Sequence, residues 1–272
     1  MSTIPFVQID AFASQPFEGN QACVMPLDSY LPDATLQSIA AENNVAETAF
    51  IVAAGEDVWE LRWFTPTVEV PLCGHATLAA GHYLYSHGGF DGEQITFQTR
   101  QSGDLFVSRL ADGRLEMDFP AQLVELVSPD AAITEALGGA PIRAVAGPCY
   151  VARYETAAEI VALDPDLERL KALGDRDATW GLGNAGCLAL DGDGVDVTSR
   201  FFAPGSGIPE DPAPGSRNSQ NTPLAADLSG KSEISCFQAY PGRGAQIETA
   251  LMGDRVKLRG RSGTVIEGQF RL

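Results

Sequence analysis

The chain has 272 residues, 44% hydrophobic and 8% aromatic, enough for packed cores in two domains of average size and against disorder. Its 36 acidic against 18 basic residues leave a formal charge of −18, which repels phosphate backbones and anionic lipid surfaces, so neither nucleic acid nor membrane is an expected partner. Five cysteines (Cys23, Cys73, Cys149, Cys187, Cys236) without a C-x-x-C spacing, no signal-peptide pattern in Met1–Pro5 and no apolar run of membrane-spanning length predict a cytoplasmic protein with reduced thiols.

In chain order, residues 4–13 read as a strand ended by the turn signal Glu18-Gly19-Asn20. Residues 32–43 read as a helix, with Pro32 suited to a first turn and Leu36, Ile39 and Ala40 as an apolar stripe. Strands follow at 48–53 and 58–64. A helix starts near Gly74 and stops at His87-Gly88-Gly89; its small residues Ala76, Ala79, Ala80 and Gly81 predict close packing on all sides. Strands at 93–99, 104–110 and 114–119 come next, with Asp112-Gly113 as a hairpin turn. The character changes at Phe119-Pro120. Residues 120–130 read as a connection and about 130–138 as a helix. Strands are predicted at 148–153, 186–190 and 195–203, then at 233–239, 245–252, 254–259 and 263–270.

Arg62-Trp63-Phe64-Thr65-Pro66 recurs 138 residues later as Arg200-Phe201-Phe202-Ala203-Pro204. Each copy ends a strand and leads through a loop to a Gly-polar pair, Gly74-His75 or Gly215-Ser216, where a helix is expected to begin. Two similar domains follow from this, each presenting a helix N-terminus from an equivalent place. The first amides of a helix have no internal partners and favour anions, so a substrate carboxylate could be held there without help from the acidic surface. The plainer alternative is that both pairs are ordinary helix starts.

His75 is placed either to move a proton or to make a local hydrogen bond. The three histidines (75, 82, 87) show no H-x-x-x-H spacing, and no metal is expected. Asp211 lies in the proline-stiffened run Gly207–Ser216, as a fixed carboxylate or as a turn former. Ser216 lacks a G-x-S-x-G context, so it reads as a helix cap or ligand-binding hydroxyl rather than a nucleophile. Glu47 looks by composition like any surface glutamate.

Four stretches change that standing: Asp10–Asn20 (DAFASQPFEGN), Asn44–Phe50 (NVAETAF), Trp63–Ala80 (WFTPTVEVPLCGHATLAA) and Ser199–Ser216 (SRFFAPGSGIPEDPAPGS). Together, and with Gly253–Gly268, they resemble the PhzF-like phenazine-biosynthesis family, whose fold is that of diaminopimelate epimerase. The resemblance implies an α+β protein of two similar domains, each a curved sheet wrapped around a central helix, with the active site in the cleft between them. The last strand would return to the first domain, giving 1–119 with 262–272, and 120–261. Carried over by residue, the catalytic glutamate is Glu47, the histidine after glycine is His75, and the aspartate and serine are Asp211 and Ser216. Cys73, Gly74 and Gly215 would line the substrate site; Arg217, which departs from the family's pattern, would either narrow the cleft or bind an acidic group of the substrate. The implied chemistry is cofactor-independent isomerisation of a small anionic metabolite by a homodimer, one carboxyl group removing and returning a proton. The absence of G-x-G-x-x-G, G-x-x-x-x-G-K and H-E-x-x-H patterns agrees with the lack of a cofactor.

The polar run Arg217–Thr222, followed by Pro223, predicts a second central helix that is short, late or distorted. It also motivates a non-catalytic binding protein as an alternative. A two-thiol racemase is the other: Cys73 would supply one thiol, but Pro214 stands at the equivalent place in the second half.

Overall fold

The computed structural model describes residues 3–122, 124–147, 149–174, 183–191 and 194–272, with the backbone alone at Ser216. By contacts the chain divides into two units, Met1–Phe119 with Lys257–Leu272, and Pro120–Val256.

The first unit starts with β1 (Thr3–Ala11), β2 (Asn20–Leu27), α1 (Asp33–Asn43), β3 (Glu47–Ala53) and β4 (Val58–Phe64). It continues through β5 (Glu69–Val70), α2 (Gly74–Ser86), β6 (Gln94–Thr99), β7 (Asp104–Arg109) and β8 (Leu115–Pro120). From β1 the strands pair in the order β1-β2-β3-β4-β6-β7-β8, with β2–β3 and β4–β6 parallel and the rest antiparallel. Parallel neighbours need a crossover, and α1 and α2 supply the two. α2 is buried from Gly74 through Gly81 and packs against β1, β2, β3 and β7, which makes it the central helix of this unit. Only small residues allow that approach: a Cβ on Gly81 would stand 2.7 Å from Val107 Cγ1.

In the second unit the described elements are β9 (Glu125–Val127), α3 (Ala131–Leu137), β10 (Arg143–Ala146), β11 (Tyr150–Arg153), α4 (Ala157–Ala162) and α5 (Leu167–Gly174). β12 (Ala185–Ala189), β13 (Val197–Phe202), α6 (Gly215–Ser229), β14 (Glu233–Gln238) and β15 (Ala245–Met252) follow. From β10 to β15 the pairings run antiparallel, parallel, antiparallel, parallel, antiparallel. From β1 to β7 the first unit shows the same series, so the repeat seen in the sequence is a repeat of topology: β4–α2–β6 answers to β13–α6–β14.

The two arginines of the echoed motif do the same work. Arg62 donates through Nε and Nη2 to the two carboxylate oxygens of Glu69, at 2.8 and 2.7 Å. Arg200 does so to Glu210, at 2.8 Å for both bonds. Each guanidinium also lies over the aromatic ring two residues on, Phe64 or Phe202. A bidentate pair holds both position and angle, so each clamp ties a strand to the loop that leads into a central helix.

The chain returns to the first unit along β16 (Arg255–Gly260) and β17 (Ser262–Arg271), the latter antiparallel to all nine residues of β1. The unit takes in residues from 257 rather than 262: β16 pairs with β8, and Lys257 pairs with Asp118 and Arg259 with Glu116 across them.

Two local expectations fail, and of the three alternatives for the second central helix the distorted one is met. α6 is neither short nor late: it runs fifteen residues from Gly215 with Pro223 inside. Pro223 has no N–H to give Ser219, whose carbonyl instead accepts the Gln122 N–H at 2.9 Å, so the helix loses a bond without leaving the acceptor empty. Asn20 does not close a turn but opens β2, a strand buried along both faces and so without alternation to read. Residues 125–127, read as connection, pair with β10.

Candidate active site

Glu47 begins β3, paired in parallel register with Ala22 of β2. Cys73 is the extended N-cap residue of α2 (φ −143°, ψ 112°), and His75 follows in the first turn. The strand and the helix start bring Glu47 Oε2 to 2.7 Å from His75 Nε2. That oxygen is buried and faces the ring nitrogen as an ion pair.

The far side of the imidazole belongs to Asn20, whose Nδ2 lies 3.1 Å from His75 Nδ1. With the amide in this orientation Asn20 donates, Nδ1 accepts, and the ring proton sits on Nε2, toward Glu47. A doubly protonated ring would turn the Asn20 oxygen toward Nδ1 instead. Asn20 is 2% exposed and was missed as a site residue. Its signal was a place in the stretch Asp10–Asn20, but a turn reading of Gly19-Asn20 absorbed it.

Cys73 Sγ lies 3.6 and 3.8 Å from the two ring nitrogens. Burial by itself pulls the His75 pKa down; an ionised Cys73 and the Glu47 carboxylate push it up and prevail, so it stands well above the ordinary histidine value. Cys73 is itself pushed up to about 11, by burial first and by the Glu47 charge second. At neutral pH it is therefore a thiol, so the push that an ionised Cys73 would give His75 is absent there, and the Glu47 carboxylate is the charge beside the ring. A thiol so raised is a poor proton-abstracting base. The donor atoms of Glu47, Cys73 and His75 all lie within 4.8 Å of one another, close enough to share one metal ion, although no metal was expected from the sequence.

In the second unit, Asp211 is built into the loop before α6. Its Oδ1 accepts the Ala213 N–H at 3.0 Å, its N–H donates to Phe201 O, and its carbonyl accepts Gln238 Nε2. The turn-forming reading of this aspartate is thus realised. Gly215 is the first residue of α6, after Pro214 as N-cap. Arg217 is half-buried, its guanidinium 4.9 Å from the centre of the Phe201 ring. The Ser216 side chain lies outside the described residues.

All five cysteines are free and buried. Among the described residues no helix is long and apolar enough to cross a membrane.

Solved structures share this architecture. A phenazine biosynthesis protein of the PhzF family from Enterococcus faecalis superimposes over 100% of both chains with a TM-score of 0.93 at 34% identity. A probable proline racemase from Agrobacterium radiobacter K84 shares the fold at a TM-score of 0.62 and 15% identity, over 99% of this chain and 93% of its own. Uncharacterized isomerase PA3578 of Pseudomonas aeruginosa is 39% identical over 270 residues, 99% of each chain. Fold and relatives together define an isomerase of the epimerase-like α+β class. More narrowly, the chain belongs to the PhzC-PhzF family of phenazine biosynthesis-like proteins, whose family model matches residues 9–268.

Proposed function

We propose that this isomerase moves a proton between carbons of a small carboxylate-bearing metabolite, with Glu47 as the group that removes and returns it. The observation that carries the reading is the Glu47 carboxylate, its buried Oε2 2.7 Å from His75 Nε2. A general acid–base group needs a free lone pair in a dry setting and a neighbour that steadies its charge. His75, itself anchored by Asn20, is that neighbour. The free amides at the start of α2, Gly74 and His75, are suited to a substrate carboxylate and to negative charge developing beside it.

Asp211 enters the proposal as a further catalytic group, and Gly215 and Ser216 as substrate ligands, on the strength of the family resemblance; Arg217, where the chain departs from the family's pattern, enters as a basic residue suited to an acidic group of the substrate. Cys73 enters as a substrate-lining residue and not as a base, because its raised pKa leaves it protonated. The non-catalytic alternative is set aside because curated relatives along the whole chain are named isomerases.

The three converging donors Glu47, Cys73 and His75 favour one second reading, a bound divalent metal that would ionise the thiol. Prolonged dialysis against a chelator separates the two: proton transfer is expected to survive it, and activity lost on chelation and restored by zinc or manganese would favour the metal. The direct test of Glu47 is hydrogen exchange between solvent and substrate, compared between wild type and Glu47→Gln.

A further inference from the structure

A cavity of about 240 Å³ in the first unit stands apart from Glu47, Cys73, His75 and Asn20, none of which lines it. Its walls are residues 13–16, the second half of α2, and the segment where β16 passes into β17. Arg109 and Arg261 line it, and no aspartate or glutamate does, in a chain whose formal charge is −18. The nearest acids are engaged elsewhere. Glu18 accepts the N–H groups of Ser14 and Gln15, Asp10 accepts that of Phe17, and Asp112 pairs with Arg114 at 2.7 Å.

Neither arginine forms an ion pair within bonding distance among the described residues, although the Arg261 charge reaches the Asp112 carboxylate and, behind Arg114, helps lower its pKa. Arg109 lies over the Tyr85 ring at 4.8 Å, and Arg261 donates to the Asp112 carbonyl at 3.0 Å, so both guanidinium groups are held and both keep donors free. Ser262 adds a buried hydroxyl oxygen with no partner. A register shift in the β1–β17 ladder, where Gln8 faces Ile266 but Ile9 faces Thr264, leaves Val265 unpaired beside the cavity. Thr264 Oγ1 is in turn approached by His82 Nε2 at 3.2 Å and His87 Nε2 at 2.8 Å. The residues 13–16 are pinned by unusual backbone on either side, with positive φ at Phe12 (58°) and Phe17 (75°). This accounts for part of the stretch Asp10–Asn20 that the proposed chemistry leaves unused.

We infer that this basic pocket is a second ligand site, which takes the oxyanion of a small carboxylate or phosphate compound. Two fixed guanidinium groups and an unpartnered hydroxyl form a set of donors for a planar or tetrahedral oxyanion. The apolar parts of Tyr85, Leu115 and Val265 offer a wall for a compact ligand body. The volume falls below the roughly 300 Å³ at which drug-sized sites begin, so the ligand is metabolite-sized.

The test is amide-resolved NMR titration of the isotopically labelled full chain with inorganic phosphate and, separately, with benzoate, at constant ionic strength. Saturable shifts at Tyr85, Ser262, Gly263 and Thr264 are expected with at least one probe; phosphate alone points to a phosphate ligand and benzoate alone to a carboxylate. Binding is expected to weaken about tenfold for each arginine removed in Arg109→Gln and in Arg109→Gln/Arg261→Gln. If the double variant does not fold, the single one decides, because Arg109 is exposed and its ring stack is a surface contact. No saturable shift at these amides with either probe, shifts confined to Gly74–Ala76, or unchanged affinity in the folded variants would overturn the assignment.

Discussion

His75 and His82 lie two turns apart on one helix and titrate in opposite directions. His82 is lowered to about 4, by burial first and by the neighbouring His87 second. The unfolded chain takes up that proton near pH 6.5, so between about 6.5 and 4 the unfolded state binds more protons, and folding loses stability as pH falls. The loss amounts to about 3 kcal/mol once both values are passed. His82→Asn is expected to remove it: urea midpoints of wild type and variant should converge as pH drops from 7 to 4, and a constant gap would contradict the burial argument. For His75 the folded pKa is raised, so its contribution is full below 6.5 and fades as pH rises through the folded value. None of this was legible in the sequence, where both are single histidines of one apolar helix. Their difference comes from Cys73 and Glu47, which raise His75 against its burial, and from burial and His87, which lower His82.

Among the elements, those with a local pattern were readable: α1 by its stripe, α2 by its small residues, the β7–β8 hairpin by Asp112-Gly113. β2 was not, because a strand buried on both faces has no period of two, and α4 and α5 are only six and eight residues long. The Arg-Trp-Phe and Arg-Phe-Phe echo was visible, but its reason was not. The glutamates that complete the clamps stand seven and ten residues beyond their arginines, so no common spacing announced them. In the second clamp both side chains are nearly inaccessible, 7% and 9% exposed. Arg200 Nη1 also donates to the carbonyls of Ile160 and Leu163 at the end of α4. Glu210→Leu, which strands a buried guanidinium, is expected to cost about 3–5 kcal/mol in chemical denaturation. Arg200→Met added to it should recover a good part. A single variant as stable as wild type would mean that the clamp does not hold the loop.

For the molecule as a whole, two similar domains were expected from a five-residue echo, and a returning C-terminal strand from family resemblance. The division at 257 rather than 262 goes with the pairing of β16 with β8, a contact between distant segments that no local pattern shows. The first unit contains both ends of the chain, and β17 covers the whole length of β1. A chain cut after Val256 would leave β1 as an exposed edge and take away part of the surroundings of α2, which packs on β17 as well. Such a truncation is expected to lose the first unit's fold, read as rapid proteolysis within residues 3–119; a protected, native-like fragment there would show that the C-terminal strands are dispensable.

The central claim is that Glu47 carries the proton. Small carboxylates incubated with the enzyme in deuterium oxide, read by mass spectrometry, will identify a compound that gains deuterium at carbon. With that compound the account predicts that Glu47→Gln, folded and still binding it, exchanges about 10²–10⁴-fold more slowly than wild type. Exchange at the wild-type rate in the variant would contradict it.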